Sequence, residues 1–487
     1  MNNYDLVVGL EIHSELKTNT KAFCGCRNKF GSQPNTNCCP VCIGAPGALP
    51  VLNKKALEYA IMSGLALDCK ISNYTVFERK NYFYPDLSKG YQISQLEHPL
   101  CINGKLDIKT NDNTEKTIRI NRVHMEEDSG KNIHDNISNT SLIDYNRSSV
   151  PLIEIVTEPD ISSSDEAVAF LEKIKESLVY IGVTDGKMQE GSLRCDINVS
   201  LKPKGSKNLG NRTEMKNLNS FKAVKRAIDT EAKRQAELLD KGENIPQETR
   251  RWDDLEGESY SLRSKETSQD YRYFPDPDLI PIKVTDEYVQ SIKENMVELP
   301  STRRQRYINK LGLPKYDAKV LTDRIDVSDF FESCLKILNK PKNVSNFIMS
   351  NVLRLLKEDE QEFDEKDVQI KIEPKQLCDI IMMLENEEIN STSAKTIFEK
   401  VWQDEGQPKE LVDKLNLRQN NNTSELEGII KEIVDSNPQV VSDYLKTKND
   451  RVLKFFIGQV MKQTKGSANP KVATDLIKQY ISDKKES

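Results

Sequence analysis

The 487-residue sequence lacks the signals that mark membrane and secreted proteins. No window approaches the run of about eighteen apolar residues that a membrane helix needs. The opening "MNNYDLVVGLEIH" has no basic region followed by an apolar core. A Walker A loop is also missing, and no two glycines are adjacent. We therefore expect a cytoplasmic protein without membrane contact, which would bind any nucleotide by other means than a P-loop.

A chain of this length can form about two to four domains with their own cores, so it needs no disulfides. Up to about residue 290 the pattern is strand-like and rich in turns, and this part contains all four histidines. Beyond it the apolar spacing is helical, with polar linkers such as "KEDEQEFDEKD" and "LRQNNNTSELE". The first part is expected to carry the chemistry and the second to act as a reader or spacer.

Five of the ten cysteines lie in the stretch "CGCRNKFGSQPNTNCCPVC". In a reducing compartment, clustered thiols are more often metal ligands than disulfides. The pairs Cys24/Cys26 and Cys39/Cys42 offer four thiolates to tetrahedral zinc, with Cys38 left over. Free buried thiols are the alternative, but the surrounding turn formers provide few apolar neighbours. Four thiolates leave no open coordination position, which favours a structural zinc over a catalytic one.

Three strand-like segments carry polar side chains at regular positions. In "DLVVGLEIH", alternation places Glu11 and His13 together on the face opposite the apolar residues. In "LRCDINVSL", Arg194 and Asp196 likewise point away from the apolar face. Glu154 interrupts the apolar strand "PLIEIVTEPD", and burying an unpaired carboxylate costs several kcal/mol. We expect Glu154 to have a cationic partner.

The segment "VHMEEDSGK" adds an acidic run that includes Glu126 and Glu127. Together with Glu11, His13 and Glu154, it offers enough ligands for a hard divalent ion such as magnesium. A surface charge cluster beside a capped helix start is the alternative, and it is favoured for the acidic run taken alone. For Glu11 with His13, a metal or catalytic role and a structural role both stay open.

Two stretches, "FERKNYFYPDLSKGYQISQ" and "SQDYRYFPDPDL", combine tyrosine and phenylalanine with lysine and arginine around a proline-aspartate pair. This mixture can stack on bases and contact phosphates. Proline-aspartate turns with packed tyrosines are also ordinary loop anchors, and that interpretation is favoured when either stretch is considered alone.

Ten motifs in order along nearly the whole chain resemble the B-subunit family of tRNA-dependent amidotransferases. They are "VGLEIHSELKT", "PNTNCCPVCIGAPGALPVLN", "RKNYFYPDLSKGYQISQ", "HMEEDSGK", "VPLIEIVTEPD", "EGSLRCDINVS", "EMKNLNSF", "QETRRWDD", "DYRYFPDPDL" and "FFIGQVMKQTKGSANP". The resemblance implies an α+β fold whose cradle domain, residues 1–292, has a large antiparallel sheet like that of glutamine synthetase. The cradle would contain the zinc loop 24–42. A helical domain, 293–405, and a small helical tail that binds tRNA, 406–487, would follow.

The implied activity is that of a ligase with glutamine as the amide donor. ATP and magnesium would phosphorylate the side-chain carboxylate of Glu-tRNA(Gln) or Asp-tRNA(Asn), and ammonia would then displace the phosphate. A carboxylate needs this activation because oxide is a poor leaving group, and magnesium offsets the phosphate charge. The chain has no glycine- and serine-rich amidase signature. The family therefore implies an amidase A subunit as the ammonia source and a small C subunit, in a heterotrimer outside which this chain is inactive.

The resemblance also assigns residues to the magnesium site. Its ligands would be His13, Glu127 and Glu154, with Glu11 and Glu126 adjacent to them. The family pattern places zinc on the same four cysteines that the spacing indicated.

Weaker assignments concern substrate and nucleotide. Arg194 and Asp196 are candidates for positioning substrate or phosphate. Lys80, Tyr82 and Lys89, with their neighbours, are expected to form a wall of the ATP pocket.

The last 37 residues carry eight lysines and arginines against three acidic residues, in a protein whose overall charge is −6. Such asymmetry indicates a nucleic-acid face, with Lys462 and Lys465 free to meet phosphate. Without the resemblance, an ordinary solvated lysine face is the better interpretation. With it, a tail that contacts the tRNA elbow is expected.

Two other functions are compatible with parts of the sequence. The first is a non-catalytic, zinc-stabilised RNA-binding or assembly subunit, but a scaffold has no reason to bury Glu154 or to pair Glu11 with His13. The second is a stand-alone ammonia-using ligase similar to glutamine synthetase, which the long helical half with its basic tail disfavours.

Overall fold

The computed structural model describes residues 3–110, 112–135, 140–264, 270–363, 368–419, 423–447, 450–464 and 468–486. The chain forms two compact units, Met1–Pro300 and Ser301–Ser487. Within the described ranges, no helix is both long and apolar enough to cross a membrane.

The first unit contains all the strands, together with helices α1 Lys54–Ala66, α2 Ser164–Tyr180, α3 Phe221–Asp240 and α4 Asp286–Asn295. A short 3-10 turn covers Tyr145–Arg147. The strands are β1 Tyr4–Glu15, β2 Lys70–Ile71, β3 Tyr74–Thr75, β4 Glu78–Asn81, β5 Tyr91–Ser94, β6 Cys101–Lys109, β7 Glu115–Glu127, β8 Lys131–Asp135, β9 Thr140–Asp144, β10 Pro151–Thr157, β11 Leu193–Pro203, β12 Arg212–Lys216, β13 Glu248–Asp253, β14 Glu258–Ser264, β15 Phe274–Pro275 and β16 Ile282–Lys283.

One nine-stranded sheet dominates this unit, in the order β14-β13-β12-β11-β1-β10-β7-β6-β2. The predicted α+β class, with a large N-terminal sheet and a helical remainder, is confirmed. The sheet departs from the predicted antiparallel arrangement at one place, because β12 and β13 run parallel. Helix α3 lies between them in the chain, and a helical crossover of this kind is what joins parallel neighbours.

Side-chain alternation gives the large sheet two different faces. Along β1, Val8, Leu10 and Ile12 are fully buried, whereas Glu11 and His13 are only partly so. Apolar side chains of α1, α2 and α3 belong to the same core as the buried side chains of β1. These helices therefore cover the apolar face, and the polar side chains project from the opposite face.

The three covering helices begin at residues whose side chains cap them. Asn53 Oδ1 accepts a hydrogen bond from the backbone of Lys55 at 2.9 Å. Ser163 and Ser220 cap α2 and α3 in the same way, with distances of 3.1 and 3.0 Å. A cap of this type stabilises a helix by about 1 kcal/mol, so the sequence fixes where each helix starts.

The second unit is helical in its described residues, as the spacing of apolar residues predicted. It has two hydrophobic cores, one built from residues between Tyr307 and Val412 and the other from residues between Leu426 and Ile481. A π-helical turn, Ile348–Val352, joins α8 to α9. The helices are α5 Pro300–Leu311, α6 Lys315–Leu321, α7 Ile325–Ile337, α8 Pro341–Phe347, α9 Leu353–Phe363, α10 Pro374–Glu385, α11 Ser391–Trp402, α12 Pro408–Lys414, α13 Thr423–Asp435, α14 Pro438–Thr447, α15 Asp450–Gln463 and α16 Pro470–Glu486.

Candidate active site and metal centres

The register of the central strands brings the predicted polar residues into one row. On β1, His13 lies opposite Glu154 of β10 on one side and opposite Arg194 of β11 on the other. Glu154 in turn lies opposite His124 of β7. Directly paired residues project to the same face of a sheet, so these side chains meet on the polar face.

Two imidazoles and two carboxylates form a compact group there, which we call the His/Glu cluster: His13, His124, Glu126 and Glu154. Nε2 of His13 lies 3.4 Å from a carboxylate oxygen of Glu126 and 3.4 Å from one of Glu154. Nε2 of His124 lies 3.3 Å from Glu154 and 3.8 Å from Glu126. One ligand atom each from His13, Glu126 and Glu154 fall within 4.8 Å of one another, close enough to share a metal ion.

In the His/Glu cluster, the carboxylates favour the charged form of His13, and the imidazoles favour the charged form of Glu154. Burial opposes the positive charge of His13, but the hydrogen bond and charge of Glu154, with the charge of Glu126, raise the pKa of His13 to about 9. Burial alone would raise the pKa of Glu154, yet His124 and His13 hold the pKa well below its ordinary value. The cationic partner predicted for Glu154 is thus a pair of imidazoles, those of His13 and His124.

Glu127 lies on the other face of β7, away from the His/Glu cluster. Its carboxylate forms an ion pair with Lys89 and accepts hydrogen bonds from the backbone of Ile93 at 2.9 Å and from the hydroxyl of Ser149 at 2.7 Å. The structure thus brings Glu126, and not Glu127, beside His13 and Glu154. Strand alternation explains the difference, because His124 and Glu126 share one face and Glu127 must point to the other.

Glu11 and Asp196 stand on the same polar face, one register step along. Lys216 of β12 pairs with Asp196 and lies 2.8 Å from Glu214. Asn198 donates to Glu11 at 3.0 Å. Burial, with the charges of Glu154, Glu214 and Asp196, raises the pKa of Glu11. The sequence pattern did not single out Lys216, which supplies positive charge to this part of the face.

Arg194 projects from β11 next to His13 but makes its ion pair with Asp128. Arg147 approaches the same carboxylate at 3.4 Å and also donates to the backbone oxygens of Ser129 and Gly130. Asp128, the last acid of the run in "HMEED", therefore anchors two arginines at the edge of the polar face.

The two aromatic stretches, almost 190 residues apart, lie side by side. Asn81 joins them, since its backbone donates to the oxygen of Tyr271 at 2.8 Å. The rings of Tyr82 and Tyr271 are 5.9 Å apart, and Nζ of Lys80 lies 5.0 Å from the centre of the Tyr271 ring. Burial and the nearby charge of Glu126 raise the pKa of Tyr82, and the same influences act on Tyr273. Both tyrosines therefore lie within electrostatic reach of Glu126.

The four predicted cysteines, which we call the thiol cluster, converge in the turn-rich loop. Sγ of Cys42 lies 3.4 Å from that of Cys24 and 3.6 Å from that of Cys39, and the four sulfurs are within 4.8 Å of one another. Sulfurs bound to one zinc at about 2.3 Å stand about 3.8 Å apart, so the donor set fits tetrahedral zinc. Cys38 lies outside this group, and its thiol donates to the backbone oxygen of Asn35 at 3.3 Å.

Within the thiol cluster, the thiol of Cys42 has a lowered pKa. Hydrogen bonds from Cys24 and from the backbone of Cys39, with the charge of Lys21, lower the pKa of Cys42 to about 4 against the effect of burial. A thiolate is the form that binds metal. Lys21 is a further residue that the sequence pattern did not reveal.

The basic tail is described only in part. Lys462 lies exposed in the last turn of α15. Lys465, the second lysine expected to contact tRNA, is outside the described residues.

The arrangement defines a class of protein first: a sheet domain with a group of potential metal ligands on its polar face, followed by helices. Comparison with protein families gives the same division, because residues 6–290 match the GatB/GatE catalytic domain and residues 329–481 match the GatB domain. The chain belongs to the GatB family.

Curated relatives resemble the chain along nearly its whole length. The B subunit of the aspartyl/glutamyl-tRNA(Asn/Gln) amidotransferase from Caldicellulosiruptor saccharolyticus is 50% identical over 478 residues, covering 98% of this chain and 99% of the relative. The B subunits of the same name from Thermoanaerobacter sp. strain X514 and Agathobacter rectalis are 49% and 48% identical, over 98% and 99% of this chain and 99% and 100% of theirs.

Proposed function

We propose that this chain is the subunit of a tRNA-dependent amidotransferase that activates the side-chain carboxylate of Glu-tRNA(Gln) or Asp-tRNA(Asn) in the cytoplasm. ATP phosphorylates that carboxylate with the help of magnesium, and ammonia then replaces the phosphate to give the amide. The observation that supports this best is the His/Glu cluster on the polar face of the sheet, in a chain whose relatives are named as amidotransferase B subunits.

His13, Glu126 and Glu154 would hold the magnesium ion. Their ligand atoms lie close enough together, and carboxylates are the ligands that magnesium prefers. Two buried nitrogens beside them, Nδ1 of His124 and Nε of Arg122, have no hydrogen-bond partner in the described part of the chain, as expected of a site completed by a bound group. When bound, the ion offsets the negative charge of the phosphate groups during transfer.

The protein residues around the ion have positioning roles in this proposal. His124 contacts both Glu154 and Glu126 and fixes the direction of their carboxylates. Glu127 acts from the opposite face, where it holds Lys89 in a buried ion pair. Preorganised groups of this kind favour catalysis because they need no rearrangement as charge develops.

Substrate and nucleotide would bind across the polar face on either side of the ion. Asp196 with Lys216, and Arg194 with Asp128, present fixed charges beside the His/Glu cluster. On the other side, Lys80 and Tyr82 belong to the first of the two neighbouring aromatic stretches. A ring that is partly exposed beside a lysine can stack on a base while the ammonium contacts phosphate.

The remaining parts of the proposal concern assembly. An amidase A subunit would hydrolyse glutamine and deliver the ammonia, and a small C subunit would complete a heterotrimer. Residues 1–292 would form a cradle similar in fold to glutamine synthetase, followed by a helical domain at 293–405. Residues 406–487 would form the tail that contacts tRNA, with Lys462 and Lys465 at phosphates. The thiol cluster would hold a structural zinc.

The test uses the chain purified together with its amidase and small partner subunits. Wild type, Glu154→Ala and His13→Ala are assayed for amidation of glutamyl-tRNA(Gln) with ATP, and separately for glutamine hydrolysis. We expect both variants to lose amidation and to keep glutaminase activity. Glu172→Ala, an exposed position on α2, serves as the matched control and should amidate like wild type. If both variants amidate normally, the catalytic part of the proposal is wrong, and a non-catalytic tRNA-binding scaffold is the remaining interpretation.

A further inference from the structure

Lys21 is a lysine with no exposed surface, beside the thiol cluster. Its ammonium nitrogen lies 3.5 Å from Sγ of Cys42 and 3.5 Å from the backbone oxygen of Tyr145. In the part of the chain that the structure describes, no carboxylate forms an ion pair with it. The charged lysine therefore has two polar neighbours, and only the sulfur can become an anion.

This placement is costly unless the sulfurs carry negative charge. Removing an ammonium from water costs several kcal/mol, and buried charges are normally paired or bound to a metal. If all four cysteines were neutral thiols, nothing near Lys21 would offset that cost. Other basic residues of the loop, Arg27 and Lys29, are exposed to solvent and face no such requirement.

A thiol cluster that holds a metal ion carries the negative charge that would offset the burial of Lys21. Four thiolates around one divalent ion carry a net charge of about −2, and thiolate is the form in which cysteine binds metal. An adjacent ammonium halves that excess charge and donates a hydrogen bond to one of the sulfurs. Groups that hydrogen-bond to metal ligands in this way orient them and tune the affinity of the site.

We propose that Lys21 is the fixed counter-cation of a metal tetrathiolate formed by Cys24, Cys26, Cys39 and Cys42, with zinc as the divalent ion. The backbone of Lys21 supports this position. Its N–H donates to the oxygen of Cys26 at 3.0 Å, and its oxygen accepts from the side chain of Asn53 at 3.2 Å. The counter-cation is thereby attached both to the loop and to the cap of α1.

A structural role without electrostatic coupling is the competing explanation. In that case Lys21 would fill space and donate to the oxygen of Tyr145, whether or not metal is present. The two explanations differ in how the effect depends on metal: a counter-cation stabilises the zinc-loaded protein more than the metal-free one, whereas a packing residue stabilises both equally.

The experiment compares the full-length wild type with Lys21→Met, which keeps the length of the side chain and removes the charge. Lys29→Met, an exposed lysine of the same loop, is the control. Zinc affinity is measured by competition with a chromogenic chelator, and thermal unfolding is recorded with zinc and after chelation. We expect Lys21→Met to bind zinc about 10 to 100 times more weakly, as for other residues that support metal ligands, and Lys29→Met to match wild type.

Thermal unfolding with and without zinc distinguishes the two explanations. Zinc should raise the unfolding midpoint of Lys21→Met by less than it raises that of wild type. Equal zinc affinity, or equal destabilisation with and without zinc, overturns the proposal. If Lys21→Met does not fold, Lys21→Arg decides: affinity near that of wild type supports the charge, and a loss of tenfold or more overturns it.

The proposal rests on the proposed zinc site, and the outcomes keep the two apart. If the wild-type protein binds no zinc, the proposed zinc site is wrong. If the wild type binds zinc and Lys21→Met binds it equally well, only the role proposed for Lys21 is wrong. Neither result bears on amidation.

Discussion

The thiol cluster and the His/Glu cluster are both groups of side chains that could hold a metal ion, but their surroundings differ. The thiol cluster provides four sulfurs, which complete a tetrahedron, and it lies in a loop beside the buried Lys21. The His/Glu cluster stands on a sheet face with side chains of His13 and Glu154 22% and 12% exposed, and its three ligand groups leave coordination positions open. A closed site stabilises structure, whereas an open one can admit substrate.

Removal of one thiol should have the largest effect, on stability alone. In Cys42→Ser we expect bound zinc to disappear and the free energy of unfolding to fall by several kcal/mol, because structural zinc contributes directly to folding. The amidation rate per folded, assembled enzyme should stay within about twofold of wild type, since thiols take no part in the chemistry. Metal analysis, denaturant unfolding and rates normalised to folded protein check this.

Cys38→Ser is the control for the thiol cluster, because Cys38 lies in the same loop but outside the four sulfurs. It should keep its zinc and its stability. Loss of zinc from this variant would show that Cys38 takes the place of one of the four ligands.

In Glu154→Gln, by contrast, we expect the main effect on catalytic activity. The amide retains the shape of the side chain but loses the charge that the magnesium ion requires, so we expect amidation to fall by about 10²- to 10³-fold. The magnesium concentration for half-maximal activity should rise, and some stability should also be lost, because the amide no longer carries the charge that pairs with His13 and His124. An unchanged magnesium requirement would contradict the placement of the ion.

Glu127→Gln separates the two adjacent glutamates of β7. Glu127 is buried in an ion pair with Lys89, so removal of its charge should destabilise the protein by about 3 kcal/mol without changing the magnesium requirement. Glu126→Gln should raise the magnesium requirement instead. If Glu127→Gln also raises the magnesium requirement, Glu127 is a magnesium ligand, as the family motif implies.

Asn53→Ala is the mildest test, at the place where the loop of the thiol cluster meets α1. Asn53 caps the helix and donates to the backbone oxygens of Thr20 and Lys21 at 3.0 and 3.2 Å. We expect a loss of about 1 kcal/mol of stability and faster release of zinc, with normal amidation. Zinc release that stays at the wild-type rate would show that the loop is held independently of the helix.

Much of the local structure was predictable because strand alternation is a local property. The pattern of "DLVVGLEIH" correctly predicted that Glu11 and His13 share a face away from Val8 and Ile12. The same rule, applied to "VHMEE", indicates that His124 and Glu126 belong together and that Glu127 points elsewhere, which the structure shows.

Long-range pairing could not be predicted from spacing. Nothing local in the sequence places Tyr271 beside Tyr82, or Lys216 beside Asp196, because register between distant strands depends on how the whole sheet assembles. The burial of Lys21 was missed for a related reason: residue type predicts an exposed lysine, and only the converging sulfurs explain the exception.

The position of β1 in the sheet has a consequence for how the protein is made. The first strand of this sequence, β1, occupies the centre of the nine, and its partner on one side, β11, extends to Pro203, opposite Tyr4. At ordinary elongation rates, about 10 to 40 seconds pass before that partner is synthesised. Both edges of β1 are unpaired until β10 is made, and the edge that β11 takes stays unpaired for the whole interval, so the nascent chain should depend on chaperones until β11 emerges.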